Sequence, residues 1–126
     1  MEDKAKRKMH KIISKPETGE VYISEDVAAI IAALAATEVE GVESMHGNVT
    51  NHLIHKLGVK NLSSGVKIQI VGQEVFCELR LNVAYGVSIP DVSAKVQARV
   101  KAAVENMTGM QVVQVNIRIA NVSMPS

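Results

Sequence analysis

Alternation of apolar and polar residues predicts three strands in the second half of the chain. Every second residue is aliphatic over residues 66–70, and after the turn at Gly72 the alternation continues over residues 75–85. A period of two places successive side chains on opposite faces, so this stretch predicts a β-hairpin with one apolar and one polar face. A further alternating stretch, residues 113–119, predicts a closing strand.

Helical periodicity predicts two helices. Ser24 is the expected N-cap of the first, over residues 24–38, because two acidic residues follow it in the first turn, and Gly41 stops it. Ser88 opens the second, with Pro90 in its first turn and Gly109 as its stop. One face of the second helix is apolar, and it consists of Val92, Val96, Val100, Val104 and Met107.

The remaining segments complete a mixed α/β (α+β) architecture. Residues 1–16 lack a sustained period and are interpreted as a flexible basic tail, residues 20–23 as a short strand, and residues 49–57 as a short middle helix. The predicted order is β-α-(α)-β-β-α-β, a mixed sheet with helices layered on one face. Residues 17–126 are expected to form a single domain.

The first helix has two faces that differ in side-chain size. Val27, Ile30, Ile31 and Leu34 share one face, which is expected to cover the sheet. The opposite face carries a ridge of Ala29, Ala32 and Ala36. Alanine favours helix formation, so the ridge could be exposed. It could equally be buried, either against another element of the chain or against a second subunit, and we take it as a candidate self-association site.

Composition narrows the possible partners. Only 2% of the 126 residues are aromatic, which argues against base-stacking or sugar-stacking clefts. The net charge of +1 is uneven: the first 15 residues carry +4 and the remainder −3. Such a tail could contact an anionic membrane surface or nucleic acid, or it could only aid solubility. Its candidate contact residues are Lys4, Lys6, Arg7, Lys8, Lys11 and Lys15.

No catalytic, cofactor or metal site is predicted. His52 and His55 have the spacing of a ligand pair, but no third ligand frames them, and a solvated helix face explains them more simply. Cys77 is in phase with the apolar strand residues and is interpreted as a core residue. Glycine-rich phosphate loops and the GxxG loop of K-homology domains are both absent, so we expect no cofactor, no small-molecule substrate and no nucleic-acid site on the body of the domain.

The location inferred from the sequence is cytoplasmic. The basic start runs into a polar segment and lacks the apolar core of a signal peptide. The longest apolar run, residues 27–36, has ten residues, whereas a spanning helix needs about 20.

Four blocks of sequence resemble the alkaline shock protein family of Gram-positive bacteria, also called the general-stress or envelope stress response family. The resemblance covers residues 19–122. The matching blocks are ISEDV through AATEVEGV (residues 23–42), KNLSSGVK (60–67), YGVSIP (85–90) and VENMTG (104–109).

The resemblance implies a cytoplasmic protein without enzymatic activity. Some members of the family are held at the inner face of the membrane by a separate anchor protein and associate with themselves there, and others resemble a branch linked to fatty-acid metabolism. We therefore expect an interaction protein and a homo-oligomer, with a peripheral position at the inner membrane face. The alternative is a nucleic-acid-binding or metabolic regulator that uses the basic tail.

Overall fold

The computed structural model describes residues 9–46 and 64–124, and these contain six strands and two helices. Each predicted strand and helix in this part of the chain is present. In chain order the elements are β1 (Met9–Lys15), β2 (Gly19–Ser24), α1 (Glu25–Thr37), β3 (Val42–Met45), β4 (Val66–Val71), β5 (Glu74–Ala84), α2 (Ile89–Thr108) and β6 (Gln111–Ser123).

Strand β5 is the centre of a four-stranded mixed sheet. Strand β4 pairs antiparallel with its first half and β3 pairs antiparallel with its second half, so these two strands share one side of β5. Strand β6 pairs parallel with β5 along its whole length on the other side. Parallel neighbours need a crossover, which α2 supplies. The predicted hairpin is confirmed, with Gly72 at φ 63° in its turn.

Both helices pack on the apolar face of this sheet, as predicted. Helix α1 contacts α2, β4 and β3, and α2 contacts α1 and β6. Because apolar and polar residues alternate in β5, one of its faces is buried. All side chains on that face are aliphatic except Cys77, which is buried as well. The fully buried centre of the core consists of Met45, Val75, Leu79, Leu81, Val83, Val96, Val100 and Val104.

The helix ends match the expected caps. Ser24 Oγ accepts a hydrogen bond from the Val27 amide at 3.2 Å, and Ser88 Oγ accepts one from the Asp91 amide at 3.4 Å. Helix α2 ends at Gly109, which has φ 77°. Glycine adopts this left-handed conformation without the strain that a Cβ would cause.

The structure corrects the prediction at the N-terminus and adds one strand. The interpretation of residues 1–16 as a flexible tail is wrong for Met9–Lys15, which form β1 and pair antiparallel with β2 in a separate two-stranded sheet. The alternation in β1 is too short to indicate a strand without knowledge of this pairing. Strand β3, only four residues long, was not predicted. The proposed middle helix at residues 49–57 lies outside the described residues.

Candidate interaction surface

Helix α1 is oriented opposite to the prediction. Its alanine side faces the interior, where it is buried against the rest of the chain, mainly α2 and β4. The interpretation of Ala29, Ala32 and Ala36 as a subunit contact is therefore wrong, because all three are buried within the chain itself. The buried residues of this helix are Ala28, Ala29, Ala32, Ala33, Ala35 and Ala36.

The reason for this orientation is the space available to α1. The helix lies against both α2 and β4, and α2 presents a continuous row of β-branched valines at Val92, Val96 and Val100. A core is packed to nearly crystalline density, so a second layer of bulky side chains would hold the two helices apart. Alanine allows the backbone of α1 to approach this row closely.

The large side chains of α1 consequently form an outward-facing surface, which we call the aliphatic stripe (Val27, Ile30, Ile31 and Leu34). Val27 is 45% exposed and Leu34 is 49% exposed, whereas Ile30 and Ile31 are half-buried and Ile31 also packs against the core. The spacing of three, one and three residues places all four side chains on one side of the helix. Single exposed aliphatic residues are common, but two exposed ones joined by two half-buried ones in a contiguous row are typical of an interaction site.

The charges around the stripe are acidic. Helix α1 contains no lysine or arginine, and Asp26 and Glu38 lie at its two ends. Glu38 accepts a hydrogen bond from Arg99 of α2 at 2.8 Å between Oε1 and Nη1, at the solvent-exposed surface. An exposed pair of this kind contributes little to stability. Glu40 follows the helix as an exposed carboxylate.

Glu25, in the first turn of α1, connects three elements. Its Oε2 atom lies 3.0 Å from Nε2 of His10 in β1 and accepts a hydrogen bond from the amide of Ile70 in β4 at 3.3 Å. Strand β4 is at the edge of the sheet, so this carboxylate satisfies a backbone donor there. The contact fixes the β1–β2 hairpin beside the N-terminal end of the stripe.

The candidate basic residues fall in two groups. Lys4, Lys6, Arg7 and Lys8 lie outside the described residues. Lys11 is in β1, where its Nζ atom lies 3.3 Å from Glu20 Oε2, and Lys15 is the exposed last residue of that strand.

The carboxylate of Glu20 offsets part of the positive charge of the hairpin. The Tyr22 hydroxyl donates to Glu20 at 2.6 Å, and this bond, with that from Lys11, lowers the pKa of the Glu20 carboxyl. The same carboxylate raises the pKa of Tyr22. Lys11 therefore carries its charge beside a carboxylate, which weakens its attraction for an anionic surface.

The chain's cysteine, Cys77, lies in the core. Cys77 is 3% exposed on the apolar face of β5, and burial raises its pKa to about 11. A thiol in this setting forms little thiolate, so the interpretation of Cys77 as a core residue is confirmed. His52 and His55 lie outside the described residues. Within residues 9–46 and 64–124, no three histidine, cysteine, aspartate or glutamate side chains are grouped as a metal site would require.

Neither α1 nor α2 meets the requirements of a membrane span. In the part of the chain that the structure describes, no helix combines enough residues with enough apolar character to cross a bilayer.

The sequence contains a signal that the stripe faces outward, although helical periodicity alone does not show it. Six alanines recur in α1 at spacings of one to three residues and make one side of the helix smooth. The large side chains lie on the other side of α1, so side-chain size predicts that this other side faces the core. That prediction is wrong. Smoothness is the better guide, because close contact between two helices favours small side chains on one of them.

Comparison with known proteins gives a consistent result. The model of the alkaline shock protein (Asp) family, described as having a cell envelope-related function, matches residues 14–124. The protein YqhY of Bacillus subtilis (strain 168) is 35% identical over 104 residues, which cover 82% of this chain and 77% of that protein. Spy1535 of Streptococcus pyogenes serotype M6 is 33% identical over 105 residues, covering 82% and 79%.

Solved structures include one group with a similar arrangement. MamM CTD M250L superimposes with a TM-score of 0.48 at 16% sequence identity, covering 76% of this chain and 95% of that one.

Proposed function

Because the chain belongs to the alkaline shock protein family, whose function is related to the cell envelope, we propose that it is a non-enzymatic interaction protein. It acts in the cytoplasm at the inner face of the membrane, through partner binding and self-association. The observation that carries this proposal is the aliphatic stripe of α1, which exposes Val27 and Leu34 to nearly half of their full extent. Exposing this surface has an energetic cost that a bound partner would remove.

The partner that fits the stripe is an amphipathic helix. The four aliphatic side chains of the stripe are spaced by three, one and three residues. This is the spacing at which the apolar face of one helix packs along another helix. The ends of α1 are acidic and the helix carries no basic side chain, so the partner helix should have lysine or arginine flanking its apolar face. A membrane-anchored protein with such a cytoplasmic helix would hold this chain at the envelope.

The acidic ends of α1 distinguish two ways in which the chain could reach the membrane, through a protein partner or through direct contact with lipid. An anionic bilayer would repel the carboxylates beside the stripe, so the stripe is suited to a protein partner. The basic residues before β1 are the part of the chain suited to direct contact with anionic lipid. These two contributions can be removed independently.

Fractionation of cells that express tagged variants tests the proposal. We expect the wild type to sediment with the membrane fraction and Val27→Ser/Leu34→Ser to move to the soluble fraction. The matched control is Met107→Ser, which removes an apolar side chain that is 67% exposed on α2 and should leave the distribution unchanged. In a separate assay with purified protein, deletion of residues 1–8 should weaken co-sedimentation with anionic vesicles. The share of the protein in the membrane fraction of cells should not change on this deletion.

Two results would contradict the proposal. A wild type that remains wholly soluble in its native cells would exclude action at the membrane. Equal membrane fractions for the wild type and the stripe variant would exclude the stripe as the site of recruitment. Circular dichroism of each variant establishes that its fold is retained.

A further inference from the structure

The main sheet has a polar face, which we call the outer face, on the side away from α1 and α2. Pairing between the strands arranges its side chains in rows. One row consists of Gln69, Phe76 and Gln114, and the next consists of Lys67, Glu78 and Asn116. Directly paired residues lie about 5 Å apart, so each row is a contiguous strip of side chains. The outer face therefore presents one aromatic ring among polar groups.

Phe76 is the chain's only phenylalanine, and it lies outside the core. It is half-buried between Gln69 of β4 and Gln114 of β6, and these three residues help to line a cavity of about 420 Å³. Within residues 9–46 and 64–124, no group hydrogen-bonds to either amide side chain. An aromatic ring flanked by amides with free donors and acceptors suits a flat ligand with a polar edge. A nucleobase is such a ligand.

Three basic side chains surround one carboxylate beside this cavity. Arg118 Nε donates to Glu78 Oε2 at 2.7 Å, and this bond lowers the pKa of Glu78. The positive charges of Lys67 and Arg80 act on the same carboxylate and lower its pKa further. One carboxylate balances only one of three cations, so two positive charges stay uncompensated. We call Lys67, Arg80 and Arg118 the basic cluster.

A second cavity lies within the basic cluster. It has a volume of about 160 Å³ and is lined in part by Lys67 and Arg80. Lys67 and Glu78 line both cavities, so the two are neighbours on the outer face. Lysine and arginine donors beside an open space suit a phosphate group. A site for a base and a site for a phosphate are thus placed side by side.

We infer that the outer face binds single-stranded RNA, with a base stacked on Phe76 and a phosphate held by the basic cluster. Phe76 and Glu78 are two residues, or about 7 Å, apart along β5, so one nucleotide can reach both sites. The inference goes beyond the proposed function. It also departs from the expectation that a chain with few aromatic residues has no stacking site, because the one phenylalanine is on the surface where a base can reach it.

The charge and shape of the outer face favour a single strand as the occupant. Glu74, a further carboxylate on the same side of β5, is six residues or about 20 Å from Arg80, so the positive charge is confined to one end. An open sheet face covers a ligand from one side only, and a free nucleotide would bury little surface there. A strand adds phosphate contacts along the cluster and releases counterions. Loops and ends of RNA offer unpaired bases for such stacking.

Fluorescence anisotropy of a labelled single-stranded RNA of about 12 nucleotides tests the stacking site. The full chain is used, so that the basic residues before β1 contribute equally to every variant. Phe76→Leu removes the aromatic ring but keeps an apolar side chain, and it should raise the dissociation constant about fivefold or more. Phe76→Tyr keeps the ring and should bind as the wild type does. Circular dichroism establishes that both variants are folded.

The salt dependence of the same binding tests the basic cluster. Each phosphate contact with a single strand contributes about 0.7 to the slope of log K against log salt concentration. Lys67→Gln/Arg80→Gln should therefore reduce this slope by about 1.4. The matched control is Lys95→Gln/Arg99→Gln, which removes the same charge from exposed positions of α2 and should leave the slope unchanged.

Competition identifies the form of the ligand. A duplex of the same sequence, inorganic polyphosphate and free uridine monophosphate should each displace the labelled RNA less well than the unlabelled strand does. Equal displacement by polyphosphate would overturn the stacking of a base. Equal displacement by the duplex or by the mononucleotide would overturn a single strand as the occupant.

The remaining outcomes separate this inference from the proposed function. No binding by the wild type at low salt, or equal binding by Phe76→Leu and Lys67→Gln/Arg80→Gln, would overturn the site on the outer face. If Phe76→Leu does not fold, photo-cross-linking of the wild type to RNA that contains 4-thiouridine decides, and a cross-link outside β4, β5 and β6 overturns the site. Val27→Ser/Leu34→Ser should keep its affinity for RNA, and Phe76→Leu should keep its membrane fraction, so either proposal can fail alone.

Discussion

Exchanging bulk between the two sides of α1 gives the sharpest test of its orientation. Ala32 is fully buried and Leu34 is about half exposed, although the two residues are only two positions apart. We compare Ala32→Leu, which adds three carbons to the buried side, with Leu34→Ala, which removes three carbons from the aliphatic stripe. Ala102→Leu is the control for adding a leucine to an exposed helical position.

The expected magnitudes follow from the surroundings of each residue. Fully burying a leucine side chain contributes about 1.5–3 kcal/mol, so removing one that is half exposed should lower the free energy of unfolding by about 1 kcal/mol. Overpacking a dense core costs about 1–3 kcal/mol. Ala32→Leu should reach the upper part of that range, because its new carbons meet α2 or the sheet. The opposite orientation would instead make Leu34→Ala cost about 2–5 kcal/mol.

Urea denaturation followed by circular dichroism measures these differences. With a slope of about 1.5 kcal/mol per molar urea, the midpoint should fall by about 2 M for Ala32→Leu and by less than about 1 M for Leu34→Ala. All variants are compared at one protein concentration, since self-association would otherwise alter the midpoint. A larger loss for Leu34→Ala than for Ala32→Leu would refute the orientation on which the interaction surface rests.

Two further predictions concern titratable groups. The hydrogen bond from Lys101 and that from the Val112 amide lower the pKa of Glu105, so their stabilisation is present above the pKa of an unfolded glutamate, about 4.3, and is lost as the pH falls through the lower folded value. Wild type should therefore exceed Glu105→Gln in stability at pH 7 but not at pH 3, and an equal gap at both pH values would contradict this. Cys77, with a pKa of about 11, should react with a disulfide reagent at pH 8 on the order of two hundredfold more slowly than an exposed thiol, and at the normal rate once urea unfolds the chain. Rapid reaction of the folded protein would show that the thiol is accessible.

Local chemistry was enough to predict much of this fold. The caps at Ser24 and Ser88 and the stop at Gly109 depend on groups within a few residues of one another. The hairpin formed by β4 and β5 depends on a period of two and on one turn. Such signals act along the chain, so they can be read before any tertiary contact is known. The core position of Cys77 followed in the same way, from its phase in the strand.

Tertiary structure alone decided which surfaces remain free. The alanine and aliphatic sides of α1 are both apolar, and periodicity cannot say which of them faces the core. Close packing against the valines of α2 selected the smaller side chains and turned Val27 and Leu34 outward. The edge of β6 is a similar case, because its alternation predicts a strand but not its neighbours. Only the tertiary structure shows that β5 pairs with one side of this strand and that Gln97 of α2 bonds to the Val115 carbonyl on the other side.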